Sequence, residues 1–383
     1  MLTALRDKKL AALLEKTAAF AAGEIACDDN LSSTSNFPLD IWLKMGRAGL
    51  LGLNLPVAYG GGGKSHLHTV AAAETMVRRG HNPGIVFSWL YHLVVAHLFI
   101  VGFANAGQRE QYLPGLAAGQ ITACLAVSEP GTGAHPKHIK TTAYRQGGNF
   151  VLNGEKDYLT NGPIADLFIV VAQTGVQNHR KEFTAFLVPR ETTGLTLTGP
   201  LDFQFLKPAP HGGVRLDNCR LTDSQVLGTE GAAYQDMVVP FREWEDVYIA
   251  GLFTGGAARQ LQLLTDLLKQ HYLEVTDELA GEIAGIQSSI HTLRVLTHEM
   301  TAMLDNDEKH PEFPYLLAEF KTLAGELQNR VRSLFGDRLP EGCLGLDRVS
   351  ADLTAMVQIA GRITRLKQVK LGKELLSRSH GGV

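Results

Sequence analysis

Residues 123–162, ACLAVSEPGTGAHPKHIKTTAYRQGGNFVLNGEKDYLTNG, limit what this chain can fold into more than any other stretch. They open with an apolar run at 123–127 and break at Ser128-Glu129-Pro130-Gly131-Thr132-Gly133. There a proline and two glycines permit a tight, open turn whose N–H groups can approach a ligand, and Ser128 and Thr132 add hydroxyls. Two β-like runs, 140–145 and 149–152, are joined at Gln146-Gly147-Gly148, and a third run is entered through Asn153-Gly154. Both junctions read as hairpin turns. The third run ends at Tyr158-Leu159-Thr160-Asn161-Gly162, again an aromatic and a hydroxyl beside a turn. The expectation is a small sheet that carries a ligand-facing loop.

The rest of the chain is helical on both sides of this segment. Residues 1–120 read as an N-terminal helical domain, with an early stripe at Leu10, Leu13 and Leu14 and a second helix beginning near Asp40. Residues 121–231 read as a β domain, with short runs at 167–172, 182–188, 195–197 and 213–216 separated by Gly, Pro, Asn and Asp. Residues 232–383 read as helical again, a C-terminal helical bundle. Within Lys207-Pro-Ala-Pro-His211, the lysine and histidine read as solvated loop residues.

At 383 residues the chain can bury a large core, and its 20% charged residues and net charge of −3 give no electrostatic case for nucleic acid or an anionic membrane as main partner. Cys27, Cys124, Cys219 and Cys343 form no Cys-x-x-Cys pair, which predicts a reduced, cytoplasmic protein without structural zinc. The N-terminal charges interrupt the apolar core that a signal peptide needs. Residues 81–108 lack Asp, Glu, Lys and Arg and are long enough to span a bilayer. His92, His97, Ser88 and Asn105 within them favour a helix buried by other helices, and no membrane span is expected.

One carboxylate stands out. From Pro240 onward, Phe241, Trp244, Tyr248, Ile249 and Leu252 recur at helical spacing, and Glu245 lies within their stripe. An acid on a buried face is either paired across an interface or functional, because burial penalises its charged form.

Ser128-Glu-Pro-Gly-Thr-Gly133, then Leu152-Asn-Gly-Glu-Lys156, then Leu159-Thr-Asn-Gly162, in that order and spacing, resemble the flavin-binding strands of the acyl-CoA dehydrogenase family. The glycine-terminated Gly-Leu-Leu-Gly helix end before Tyr59-Gly-Gly and the segment from Gly107 to Pro114 follow the same family's order. The resemblance implies an α+β fold of three parts: an all-α N-terminal domain, a middle β-barrel or sandwich, and a C-terminal four-helix bundle. It implies FAD as cofactor and a homodimer or homotetramer. It implies that Val127, Ser128, Gly133, Tyr158 and Thr160 hold the flavin, the hydroxyls near its reactive nitrogen and the aromatic against its face. Matching Ile249-Ala250-Gly251 to the run found in the isovaleryl and long-chain branches makes Glu245 the base. The alternative late position falls at Ala360, which cannot serve.

The chain also departs from the family. Ala134-His135 stands for Ser-Asp, Asp246 for an Arg, and neither the Arg-x-x-Phe-Gly nor the Gln-x-x-Gly-Gly motif is visible; Phe335-Gly-Asp-Arg-Leu-Pro-Glu-Gly342 replaces the latter. The basic last helix, with Arg362, Arg365, Lys367, Lys370 and Lys373, reads as a solvated face. Desaturating an acyl thioester needs a base for the α-proton and a hydride acceptor that no side chain provides, which implies a cofactor. The expected activity is therefore FAD-dependent α,β-oxidation of an acyl thioester, on CoA or a carrier protein. Two alternatives use the same fold: a flavin monooxygenase, and a non-catalytic member that binds an acyl group or a partner. No motif specifies the electron acceptor.

Overall fold

Strand β4 (Leu167–Gln177) is the axis of the sheet. Its first six residues, Leu-Phe-Ile-Val-Val-Ala, are all buried, as expected of a β-branched and aromatic run covered on both faces. On one side it pairs antiparallel with β5 (Arg180–Pro189) across a two-residue turn, Asn178-His179, with φ of 48° and 60° at the two positions. On the other side lie two strands. β1 (Ala123–Ala126) runs parallel to the first part of β4, with Ala123 opposite Leu167, and β2 (Thr142–Gln146) pairs further along, with Thr142 opposite Gln173. The chain thus leaves the flank of β4 after β1, makes an excursion, and rejoins the same flank as β2.

The structure, a computed structural model, describes residues 8–28, 30–270, 275–306, 310–335 and 344–377, apart from the side chains at 335, 344 and 360–364. The expected hairpin at Gly147-Gly148 joins β2 to β3 (Asn149–Thr160). The second expected turn is not a turn. Asn153-Gly154 lies inside the continuous β3, opposite a bulge in the neighbouring strand where Asp217 and Asn218 together face Asn153, and φ is 152° at Gly154. The reason is local: a Cβ at Gly154 would meet Thr141 at 2.5 Å, and the Asn153 side chain accepts a hydrogen bond from the Asn218 amide at 2.8 Å. β6 (Leu195–Leu201), β7 (His211–Leu221) and β8 (Val226–Leu227) complete the order β6-β7-β3-β2-β4-β5-β8. Inward residues from β1, β2, β3, β4, β5 and β7, among them Cys124, Ala143, Phe150, Phe168, Phe186 and Val214, form one apolar cluster, so the sheet curls around it.

The helices are α1 (Lys8–Phe20), α2 (Leu39–Arg47), α3 (His66–Gly80), α4 (Pro83–Val95) and α5 (Ala106–Ala118) before the sheet. After it come α6 (Val239–Gln270), α7 (Asp277–Asp305), α8 (Phe313–Phe335) and α9 (Leu344–Ser377). The chain forms two compact units: Met1–Asp29, Ser65–Pro83 and Asp246–Val383 in one, Asn30–Lys64 and Gly84–Glu245 in the other. In the first, the Asp305 carboxylate accepts from the His66 and Leu67 amides at 2.7 and 3.1 Å, capping the N-terminus of α3 where the helix dipole favours an anion. Arg294 of α7 donates to Glu74 of α3 at 2.8 Å, and Gly255 lets α6 approach the Glu74 backbone, where a Cβ would sit 2.5 Å from the carbonyl oxygen. Of the replacement stretch, residues 336–342 and the side chain of Phe335, together with Cys343 and the side chains of Ala360 and Arg362, lie outside the described residues.

The second unit contains the sheet and the uncharged helical segment. One helix in the described residues, Pro83–Val101, is long and apolar enough to cross a membrane, and it is mostly buried within the fold. Trp89 donates to the Leu50 carbonyl at 2.8 Å and His92 bonds the Leu116 carbonyl at 3.2 Å, so these two side chains direct a polar atom to the interior of the unit. Burial pushes the His92 pKa down to about 4, against the opposing pull of backbone carbonyls. The folded pKa is below the unfolded one, so the unfolded chain binds the proton more tightly. Stability is complete above about pH 6.5 and declines as pH falls towards 4. Urea unfolding at pH 7 and pH 5 should show a loss of about 2 kcal/mol from this group, and that portion should vanish in His92→Gln.

Candidate functional site

The break in alternation near the end of β3 builds the site. Phe150, Leu152 and Lys156 share a parity and point inward, Lys156 being 0% exposed. A register shift between Lys156 and Leu159 inserts an extra residue, and Tyr158 takes it up with φ of 60°. A left-handed conformation is costly for a bulky residue and commonly marks a functional position. The consequence is directional: Tyr158 is 51% exposed, while Leu159 and Thr160 on its far side are buried.

The excursion between β1 and β2 faces this turn. Val127 is buried and its carbonyl accepts from the Lys156 ammonium at 3.0 Å; the Ser128 carbonyl accepts from the Asp157 amide at 2.9 Å. Gly131 and Gly133 have φ of 73° and 62°, and the space where a Cβ would project from each is open. The Thr132 hydroxyl is buried with no partner among the described residues. The hydroxyls of Ser128 and Thr160 likewise make no hydrogen bond there. Thr160 lies opposite His211 on β7, and Asn161, also left-handed, donates to the Ser88 carbonyl at 2.9 Å.

These groups sit on a charged foundation. Glu129, 4% exposed, accepts from the Lys140 amide at 2.7 Å, the Thr141 amide at 2.8 Å, the Thr141 hydroxyl at 2.6 Å and Lys156 at 3.1 Å. Burial alone would raise its pKa, but the Lys156 charge and the bonds from Thr141 and Lys140 outweigh it and hold the carboxyl below its usual range. Burial lowers the Lys156 pKa to about 8 despite the pull of Glu129.

Glu245 is half-buried on α6. One turn earlier, Phe241 meets the Tyr91 ring edge-on at 5.7 Å, and Trp244 meets His97 at 5.4 Å. Burial, with smaller contributions from Cys124 and Glu245, holds the Tyr91 hydroxyl well above its ordinary pKa, and that hydroxyl reaches the Leu125 carbonyl at 3.5 Å. Glu245 is thus near a side chain that touches β1 just ahead of Val127 and Ser128. All of these residues belong to the unit Asn30–Lys64 and Gly84–Glu245. Arg242, three residues before Glu245, donates to the Ala134 carbonyl and to the Tyr234 hydroxyl at 3.1 Å each, which ties the departure Ala134-His135 to the start of α6.

The sequence reading of the segment before β7 needs correction. His211 is not a solvated loop residue: it begins β7, is 8% exposed, stacks on Phe87 at 6.0 Å and meets Phe203 at 4.9 Å. Its Nδ1 bonds the Ala209 carbonyl at 3.0 Å, and burial lowers its pKa to about 4. Lys207 pairs with Asp202 at 3.2 Å and is mostly covered. The aromatic neighbours Phe87 and Phe203 enclose the imidazole, and Phe205 stacks in turn on Phe203 at 5.3 Å. Sequence reasoning also gave no role to Glu129, Lys156, Tyr91 or Arg242. A signal for Lys156 was available, since it shares the inward parity of Phe150 and Leu152.

Unpartnered hydroxyls, open glycines and a half-exposed aromatic fit a flat, acceptor-rich heterocycle such as the isoalloxazine of FAD. Ser128, Thr132 and Thr160 would donate to its edge and Tyr158 would cover a face. Among the described residues no group of three His, Cys, Asp or Glu could hold a metal.

Residues 7–120 match the family model for the acyl-CoA dehydrogenase N-terminal domain, and residues 124–219 the model for the middle domain. The L-prolyl-[peptidyl-carrier protein] dehydrogenase of Pseudomonas fluorescens is 34% identical over 242 residues, covering 62% of this chain and 63% of that protein. An acyl-CoA dehydrogenase of Bacillus subtilis is 30% identical over 252 residues, 66% of each chain. The matches therefore span a little under two thirds of these relatives' length. Among solved structures, an FAD complex of PigA superposes with a TM-score of 0.84 at 23% identity, over 96% of this chain and 98% of that one.

Thr132 provides a direct test. Replacing an unpartnered hydroxyl by an isosteric methyl should leave the ligand-free fold as stable or slightly more so. If that hydroxyl serves a ligand, Thr132→Val should weaken FAD binding by about 1 kcal/mol, roughly fivefold, in a flavin fluorescence titration.

Proposed function

Because this chain belongs to the acyl-CoA dehydrogenase family, we propose that it is an FAD-dependent oxidoreductase that introduces a double bond between the α and β carbons of an acyl thioester. The observation that carries this reading is the buried, unpartnered Thr132 hydroxyl in an open, glycine-containing loop, in the same compact unit as a half-buried acid. The PigA complex, a neighbour of the same fold, contains FAD, which supports the same cofactor here.

FAD, when bound, accepts the hydride lost from the β-carbon. The protein supplies the rest. Glu245 takes the α-proton, and the aromatic groups on its helix, Phe241 and Trp244, keep water from competing for it. The hydroxyls of Ser128 and Thr160 hold the ring edge, and Tyr158 covers a face. Val127 and Gly133 shape the backbone next to it. The rings of Phe87, Tyr91 and Phe241 run on from one another, Tyr91 close enough to feel the Glu245 charge, and offer a surface against which an acyl group can rest.

The acyl group is carried as a thioester on CoA or on a carrier protein. The name of the Pseudomonas fluorescens relative favours an aminoacyl group on a carrier protein. Organisation as three parts, 1–120, 121–231 and 232–383, in a cytoplasmic homodimer or homotetramer belongs to the same proposal. The open, hydroxyl-lined loop favours turnover over the non-catalytic alternative, and an acid close to Tyr91 favours dehydrogenation over flavin hydroxylation, which needs no such base.

Glu245→Gln should retain FAD with an unaltered visible spectrum and lose the substrate-dependent bleaching of that spectrum by about 10³-fold in rate, the usual worth of a general base. Retained bleaching removes Glu245 from the mechanism.

A further inference from the structure

The neck of the loop, rather than its tip, holds the charge. Lys156 and Glu129 are both buried, and between them they touch every strand end that the excursion connects: Val127 at the exit of β1, Lys140 and Thr141 at the approach to β2, and β3 through Lys156 itself. Thr141 is fully buried, and its carbonyl accepts from the Gln173 amide of β4 at 2.9 Å, so the neck is also fastened to the central strand. Beyond the neck the attachments become sparse. Glu129 and Gly133 bridge each other, Ala134 is held by Arg242 and Tyr234, and the glycines between have open space around them.

Two charges withdrawn from water seldom add net stability, and an apolar pair of similar volume is often at least as stable. What an ion pair supplies that an apolar pair cannot is direction. The Glu129 carboxylate fixes two amides and a hydroxyl, and the ammonium fixes a carbonyl, at set angles. Neither group can act as the proposed base, since both are enclosed and already bonded.

We propose that the Lys156–Glu129 pair is a latch that closes the neck of the 127–141 loop and thereby positions Ser128, Thr132 and Gly133 for the flavin. Both residues are positioning residues, not catalytic ones. The ligand named in this inference rests on the flavin reading; the closure of the loop does not.

The test uses the full chain with Lys156→Met, Glu129→Gln and both together. Three readouts are amide hydrogen exchange of residues 130–141 without FAD, FAD affinity by fluorescence titration, and the vibronic structure of the flavin absorption band. Each single variant should raise exchange in the loop and weaken FAD binding at least tenfold and blur the band, while amides of β4 keep their protection. The double variant should be no worse than the poorer single one, because the residues act as one unit. Thr141→Val, which removes one bond to Glu129 and leaves both charges in place, should shift loop exchange and affinity the same way by a smaller factor. It keeps the test decisive if Lys156→Met does not fold. Unchanged loop exchange in Thr141→Val, or additive losses in the double variant, would overturn the latch. A wild-type chain that takes up no FAD, with loop exchange still responding to the substitutions, supports the latch and sinks the flavin reading instead.

Discussion

The site depends on where strand alternation stops. As long as β3 keeps its period of two, even-numbered residues go inward, and Lys156 is the last to do so. Had the pattern continued, Tyr158 would enter the core and Leu159 would face out. The bulge after Lys156 reverses this, at the cost of a left-handed tyrosine. A single inserted residue thus converts a core strand into one that carries a buried cation, an outward aromatic and a buried threonine within five positions. The buried cation is tolerable only because an anion meets it, and that anion lies in the loop opposite.

The loop is there because of how β4 is shared. Two short strands lie end to end along the same flank of β4, and the peptide between them has nowhere to pair. A segment outside the sheet, flanked by two fixed strands, is pinned at both ends and only sparsely tied between, which suits backbone groups that must meet a ligand. Glycines with open surroundings keep side chains out of that space. Position is therefore set by the sheet and access by the sequence of the loop.

Much of this was legible in the amino-acid sequence. The order of helices, sheet and helices follows from periodicity, and the Gly147-Gly148 hairpin from turn chemistry. The Asn153-Gly154 pair was misread because a dipeptide that favours a tight turn can also sit within a strand, here opposite a bulge in β7. The difference lies in a neighbour distant in sequence, Thr141, which leaves no room for a Cβ. His211 was misread for a similar reason: a histidine among prolines looks solvated until the aromatic rings of Phe87 and Phe203, from other parts of the chain, close around it. Local pattern fixes the type of element well and says little about which polar residues the tertiary structure encloses. Lys156 shows the limit from the other side, since its parity pointed inward but its partner could not be named from spacing.

The departure at Asp246 has a physical account. The resemblance leads one to expect a cation directly after the base, and an acid there would place two negative charges side by side on α6. In the structure Asp246 turns to a different side of the helix, where it accepts from Lys321 of α8 at 2.6 Å and lies 3.5 Å from Lys367 of α9. Two lysines meet the negative charge, Lys321 mostly covered and Lys367 of α9 still about half in solvent at 48% exposed. The acid at position 246 and its cationic partners at 321 and 367 lie far apart in the chain, so only the acid is visible when residues are matched one by one. Judged by charge within the structure, therefore, Asp246 belongs to the packing of α6, α8 and α9 and does not count against the acid that precedes it.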